Sequence, residues 1–267
     1  MPPIASQETQ KPGIKPWKYI AVGLAAGILG GGLGLGGGII LVPLLLFIGL
    51  ERHRAHATSL AAIILIAVVG AISFGASGEL QLDVGLSIGL GGVVGSILGA
   101  NTMHRMTTRN LTIVFGLVLL VAGVRMVSGA EPLQGAGELS TLAQLGISVG
   151  IGLVGGFFAG IAGVGGGVVN VPAAVFFIGL TQHEAQGTSL LAIVLTATAG
   201  TMANYRNGRV VPRDGLLAGA GGAVGSLLGS RLALGVNEDT LSLAFGVLIL
   251  IVALRTLFRV MWPAQST

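Results

Sequence analysis

Cysteine is absent from the 267 residues, which excludes disulfides, thiolate metal sites, iron–sulfur clusters and thiol relays. Charge is nearly as scarce. Asp, Glu, Lys and Arg make up 9% of the chain, where a soluble domain carries roughly a quarter. Four histidines (His53, His56, His104 and His183) form neither a metalloprotease motif nor a carboxylate–histidine cluster, so no catalytic residue, metal site or cofactor is expected. A Walker A sequence is missing too, which removes ATP hydrolysis by the chain itself. What is present is apolar: 52% of residues are hydrophobic, 47 are glycine and mean hydropathy is +0.90. With no collagen triplet and no polar low-complexity tract, this composition excludes a fibre, a disordered chain and a water-soluble enzyme. The chain reads as an all-α integral membrane protein.

The net charge of +4 and the pI of about 10.1 do not point to nucleic acid. In a membrane chain, basic residues mark cytoplasmic loops. Lys11, Lys15 and Lys18 ahead of an apolar run from Ile20 have the look of a signal peptide. The glycine stretch that mimics its cleavage site, 30–38, recurs at 160–167, so it is expected to belong to the fold and to stay uncleaved.

That recurrence extends over the whole chain, and an internal repeat is the most informative feature a sequence can carry. Residues 36–43 (GGGIILVP) match 165–172 (GGGVVNVP). One residue is then inserted, after which a constant offset aligns His53 with His183, Thr58-Ser59-Leu60 with Thr188-Ser189-Leu190, and Gly91, Gly95 and Gly99 with Gly221, Gly225 and Gly229. Residues 1–18 read as a cytoplasmic tail, 19–127 as one membrane repeat, 128–140 as an external linker and 141–262 as the second repeat. Each repeat holds about five apolar segments; in the first these are 19–35, 36–50, 58–77, 82–103 and 111–127. The second is short, opens in glycine and holds Pro43 (Pro172 in its twin), the pattern of a half-helix or re-entrant element.

If every segment changes side, 12 of the 14 Lys and Arg fall inside, and Glu79, Asp83, Glu131, Glu138, Glu184, Glu238 and Asp239 fall outside. Both termini are then cytoplasmic. Five segments per half is an odd number, so the second copy enters from the opposite face. The expectation is a pair of inverted-topology repeats, the arrangement behind alternating access in many secondary transporters.

Within this frame the recurring residues acquire candidate roles. Glycine disfavours a helix by about 1 kcal/mol relative to alanine, so 30–38 and 160–167 should break the helices near mid-membrane. Amides freed at Gly36, Gly37 and Gly38, and at Gly165, Gly166 and Gly167, would suit an anion at the start of the next helix. The plainer reading is close helix packing through small residues, which is favoured for the ladders Gly91-Gly95-Gly99 and Gly221-Gly225-Gly229. Ser96 and Ser226 beside those ladders are expected to bond back to their own helices. Thr58 and Ser59, like Thr188 and Ser189, open the third segment as helix caps, as ligand donors, or as both.

Asn170 replaces Leu41 in an otherwise apolar match and is a binding candidate. Thr196, Thr198, Thr201 and Asn204 make the third segment of the second half more polar than its twin; they line a pathway or bond to the preceding turn. His53 and His183 are loop residues that could couple a proton or be merely interfacial. Arg231, aligned with Asn101, either snorkels to headgroups or guards the mouth of an anion pathway.

The pattern Gly-Gly-Gly-x-x-x-Val-Pro followed by His-x-Ala-x-x-Thr-Ser-Leu, present in both halves, resembles the TauE/SafE sulfite exporter family over about residues 19–262. The resemblance implies a permease of a bacterial or archaeal inner membrane for sulfite, organosulfonates or related small anions. Onto this chain it transfers at Gly36–Gly38, Pro43, Thr58 and Ser59, and at Gly165–Gly167, Pro172, Thr188 and Ser189. His56 departs from the pattern, becoming Gln186 in the second copy. A secondary transporter of a small oxyanion is the main expectation. A cation-coupled permease for another small metabolite ranks below it, because every carboxylate lies in a loop or at a span end. A membrane enzyme or assembly factor ranks last.

Overall fold

The computed structural model describes residues 14–102, 108–133, 139–162, 165–206 and 211–261, and all regular structure among them is helical. In chain order the helices are α1 (Pro16–Gly32), α2 (Gly38–Phe47), α3 (Arg52–Ala76), α4 (Leu82–Thr102), α5 (Thr108–Val127), α6 (Thr141–Ala162), α7 (Gly167–Ala173), α8 (Gln182–Arg206), α9 (Pro212–Leu234) and α10 (Glu238–Met261). A π-helical turn, Ala174–Ile178, continues α7 just after Pro172, whose missing N–H interrupts the α-ladder.

Among the described residues, five stretches are long and apolar enough to cross a bilayer: Arg54–Ala76, Leu82–Gly99, Thr141–Gly160, Pro212–Leu234 and Glu238–Phe258. Their outward faces carry bare aliphatics such as Leu90, Val94, Val224, Leu228 and Ile251, which water would not tolerate in such number. The chain is a multi-pass membrane protein.

Glycine decides which helices meet. A Cβ at Gly27 of α1 would strike the backbone of Gly222 in α9, and one at Gly225 would strike that of Leu24. The matched series Gly23–Ala218, Gly27–Gly222 and Gly31–Ser226 ascends in both helices, so α1 and α9 run parallel with their backbones touching. The same seam joins α6 to α4, where Gly152, Gly156 and Gly160 meet Ile88, Gly92 and Ser96. Each half therefore packs its first helix on the fourth helix of the other half.

Across the middle the direction reverses. Gly70 of α3 meets Leu190 of α8 while Gly200 meets Leu60; Gly116 and Gly123 of α5 meet Leu257 and Leu250 of α10. Equivalent helices of the two halves are antiparallel.

Three expectations need correction. Thr58-Ser59 and Thr188-Ser189 do not cap their helices, because α3 and α8 begin six residues earlier, at Arg52 and Gln182. Thr181 is the cap of α8: its Oγ1 accepts from the Glu184 amide (3.2 Å), and Glu184 Oε2 accepts from the Thr181 amide (3.0 Å). His53 and His183 accordingly lie in first helical turns rather than in loops. Ser96 does bond back to its own helix, at the Val93 carbonyl (2.8 Å). Ser226 instead donates across to the Ile66 carbonyl of α3 (2.8 Å), deep in the protein.

Candidate functional site at the paired glycine turns

The break after α1 is a tight turn in which Leu35 and Gly36 both donate to the Gly30 carbonyl (2.8 and 3.1 Å). Gly34, Gly36 and Gly37 adopt φ of 71, 67 and 82°, the left-handed region where a side chain is strained. Its counterpart has φ of 85° at Gly165 and 83° at Gly166. Gly37 caps α2 through its carbonyl, which accepts from Ile40 and Leu41; Gly166 caps α7 by accepting from Val169 and Asn170. The amides of Gly38 and Ile39, and of Gly167 and Val168, belong to first turns and have no backbone acceptor among the described residues.

The two turns touch. A Cβ at Gly167 would come within 2.8 Å of the Gly34 carbonyl oxygen and 2.9 Å of Leu35 Cα. Ile193 of α8 packs beneath both turns, at Gly36 and at Gly165 and Gly167, and Ile63 of α3 also reaches Gly36. A small apolar pocket lined by Phe115, Phe158, Ala159, Gly166, Val168 and Val169 adjoins the second turn.

The recurring Thr-Ser pairs divide between two tasks. Ser189 Oγ donates to the Gly34 carbonyl (2.9 Å), tying α8 to the first glycine turn. Ser59, its equivalent, is fully buried, and its hydroxyl has no hydrogen-bond partner. Thr188 looks the other way: its Oγ1 accepts from the Gln81 amide (3.0 Å) ahead of α4, and its carbonyl faces Gly85. The Thr58 carbonyl faces Gly215 at the matching place on α9.

Asn170 is buried against Gly155 of α6, with its Oδ1 unpartnered. In the repeat, Gln186 is only a mismatch to His56. It is fully buried, lies over Gly34 and has neither carboxamide atom satisfied. Within bilayer depth such orphaned groups are costly and mark sites of function.

Other candidates stand apart from the turns. Arg231 is exposed in the last turn of α9. Asn204 Nδ2 donates to the Gly200 carbonyl of its own helix (2.9 Å), and Thr196 and Thr198 likewise bond to the preceding turn. The side chains of His53 and Asn101 lie outside the described residues. Among the described residues, no group of three or more His, Asp or Glu is placed to hold a metal.

His183 precedes the apolar stretch of α8 that starts at Thr188, and it closes an ion pair. Its Nδ1 lies 2.9 Å from Glu238 Oε1, and its Nε2 lies 2.9 Å from the Ala233 carbonyl oxygen. Both partners are acceptors, so the protonated ring, with both nitrogens donating, is the form that satisfies them. Burial alone would lower the His183 pKa, but the Ala233 carbonyl and the Glu238 carboxylate, with Glu79 beyond, hold it above the ordinary imidazole value of 6.5. The clamp's stability is therefore fully present below about pH 6.5 and is lost as pH climbs through the raised folded-state value. Glu238→Gln should lower the melting temperature in detergent at pH 5.5, with the difference from the parent fading at alkaline pH. Because Glu238 is 44% exposed, the effect should be below about 1 kcal/mol. A pH-independent difference would refute the charged pairing.

The family model described as sulfite exporter TauE/SafE matches residues 3–138 and 148–267. The chain belongs to the TauE/SafE family. Among its relatives, a probable membrane transporter protein of Xylella fastidiosa (strain Temecula1) is 32% identical over 245 residues, covering 89% of this chain and 92% of the relative. The probable membrane transporter YunE of Bacillus subtilis (strain 168) is 24% identical over 263 residues, covering 90% and 96%. A third, y4hK of Sinorhizobium fredii, is 25% identical over 206 residues, covering 75% and 81%. This TauE/SafE chain is a membrane transporter, and its relatives carry transporter names rather than enzyme names.

Proposed function

We propose that this transporter moves a small sulfur-containing oxyanion, sulfite or a short organosulfonate, by alternating access of two inverted halves about the paired glycine turns. The observation that carries the reading is the contact between those turns. Each precedes a short helix whose first-turn amides have no backbone acceptor among the described residues, and the unpartnered Ser59 hydroxyl stands one turn of α3 before Ile63, which reaches Gly36. Gly37, Gly38, Gly165–Gly167 and Ser59 supply neutral donors for an oxyanion, Gly36 and Ser189 being engaged at the Gly30 and Gly34 carbonyls, and the family description supports sulfite as the test substrate. Antiparallel equivalent helices support the inverted arrangement, in which the glycine turns are the hinge.

The basic loops support a reading with both termini cytoplasmic, and the family resemblance supports a bacterial or archaeal inner membrane. No side chain at the turns carries a compensating cation, so one substrate charge crossing 100 mV is worth about 2.3 kcal/mol, in the direction of export from a negative interior. Proteoliposomes holding the purified chain should release sulfite or methanesulfonate faster than empty vesicles, and faster with an inside-negative potential. Failure of both anions to move above background would overturn the reading.

A further inference from the structure

We propose that Gln182 and Gln186 line the outer half of the substrate's route, and that this half is closed in the present structure. The proposal rests on the transport reading above and deepens it. The two residues are four apart on α8, so their side chains leave from one face of the helix. Three residues beyond Gln186, Ser189 bonds to Gly34, and one turn further Ile193 touches both glycine turns. The stripe thus leads from the end of α8 to the turns.

Gln182 is 3% exposed and Gln186 is fully buried, yet all four carboxamide heteroatoms lack a hydrogen-bond partner. A buried amide with no partner destabilises the state that contains it, and an aliphatic chain of the same size would not. Carboxamides retained here are explained by a second state in which substrate or water supplies their partners. The Gln186 side chain already lies over Gly34, so an oxyanion leaving the turns would meet it first.

The equivalent stripe on α3 has different chemistry. Counting back by the repeat offset, Gln182, Gln186 and Ser189 become Arg52, His56 and Ser59. Arg52 is exposed and His56 half-buried, whereas Ser59 is fully buried. The α3 stripe begins at an exposed cation, whereas the α8 stripe holds two buried neutral carboxamides beside the Glu238–His183 pair. Guanidinium gathers an anion by charge, and a carboxamide offers an N–H without holding the charge. That gradient suits collection at the cytoplasmic face and release at the outer one. The closed end is fastened by Glu238, which accepts from the backbone N–H of Gln182 (2.6 Å) and pairs with His183.

The absence of cysteine makes the test direct. In the full chain in liposomes, Gln186→Leu should keep or raise the melting temperature while slowing sulfite release by about tenfold or more, the loss of one hydrogen bond to a charged ligand. Gln186→Asn should retain more transport than the leucine variant. Gln182→Cys, expressed in spheroplasts, should react with a membrane-impermeant maleimide added outside, and methanesulfonate should change the rate. If Gln186→Leu does not fold, the asparagine variant and Gln182→Cys decide.

Release by a folded Gln186→Leu within twofold of the parent would overturn the proposal. So would outside labelling of Gln182→Cys that is absent or indifferent to methanesulfonate. In both cases a parent protein that still transports leaves the transport reading standing. A parent that moves neither sulfite nor methanesulfonate would overturn both.

Discussion

Leucine in place of Gly225 should leave little or no folded protein after detergent extraction. Its Cβ would fall on the Leu24 carbonyl and 2.9 Å from the Ile28 amide nitrogen. Both are backbone atoms of α1, which a rotamer change cannot move aside. Overpacking a core usually costs about 1–3 kcal/mol. Here two whole helices must separate, so the loss should reach a large part of a stability of about 5–15 kcal/mol. Gly95→Leu should fail equally, since its Cβ would strike Leu153 and Phe157 of α6. Gly150→Leu is the control: it lies on α6 as well, but a Cβ there meets nothing within 4 Å. Size-exclusion profiles of the three variants check this, and recovery of Gly225→Leu at parental yield would refute the α1–α9 seam.

The second large effect separates backbone strain from function. Gly78 and Gly165 have nearly the same φ, 82 and 85°, so alanine at either should cost about 1–2 kcal/mol through the torsion. Neither position is crowded. Gly78 opens into free space, and the nearest atoms to a Cβ at Gly165 are Ile193 Cγ2 at 3.6 Å and the Leu35 carbonyl oxygen at 3.9 Å. The two variants should therefore lose similar melting temperature. Only Gly165→Ala inserts a methyl group where the glycine turns meet, and its sulfite transport in proteoliposomes should fall by about a hundredfold, the equivalent of roughly 2.7 kcal/mol. Equal transport by both variants would remove the turns from the substrate's path.

Much of this organisation was readable in the residues themselves. Glycines too dense for a helix announced breaks within 30–38 and 160–167, which the described residues show at 33–37 and 165–166, and Gly-x-x-x-Gly spacing announced the packing faces of α4 and α9. The partners of those faces were not readable, because a small residue permits close approach without specifying what approaches. Hydropathy also misplaced the starts of α3 and α8, whose first turns are polar (Arg52 to Arg54, Gln182 to Glu184) and fall outside the apolar runs. The Thr181–Glu184 capping box was a missed signal, since Thr-x-x-Glu is visible in the letters. Gln186 shows the deeper limit. Substitution of a histidine by glutamine reads as a mismatch until burial reveals that its amide has nothing to bond.

The crossed pairing of α1 with α9 and of α6 with α4 governs how the protein must be made. A ribosome delivers α1 long before α9, with every intervening helix inserted first, so the glycine face of α1 has to wait in lipid without its mate. Assembly cannot proceed as two modules maturing in turn. Neither half is a self-sufficient folding unit, because each lends the other the strut on which its fourth helix rests.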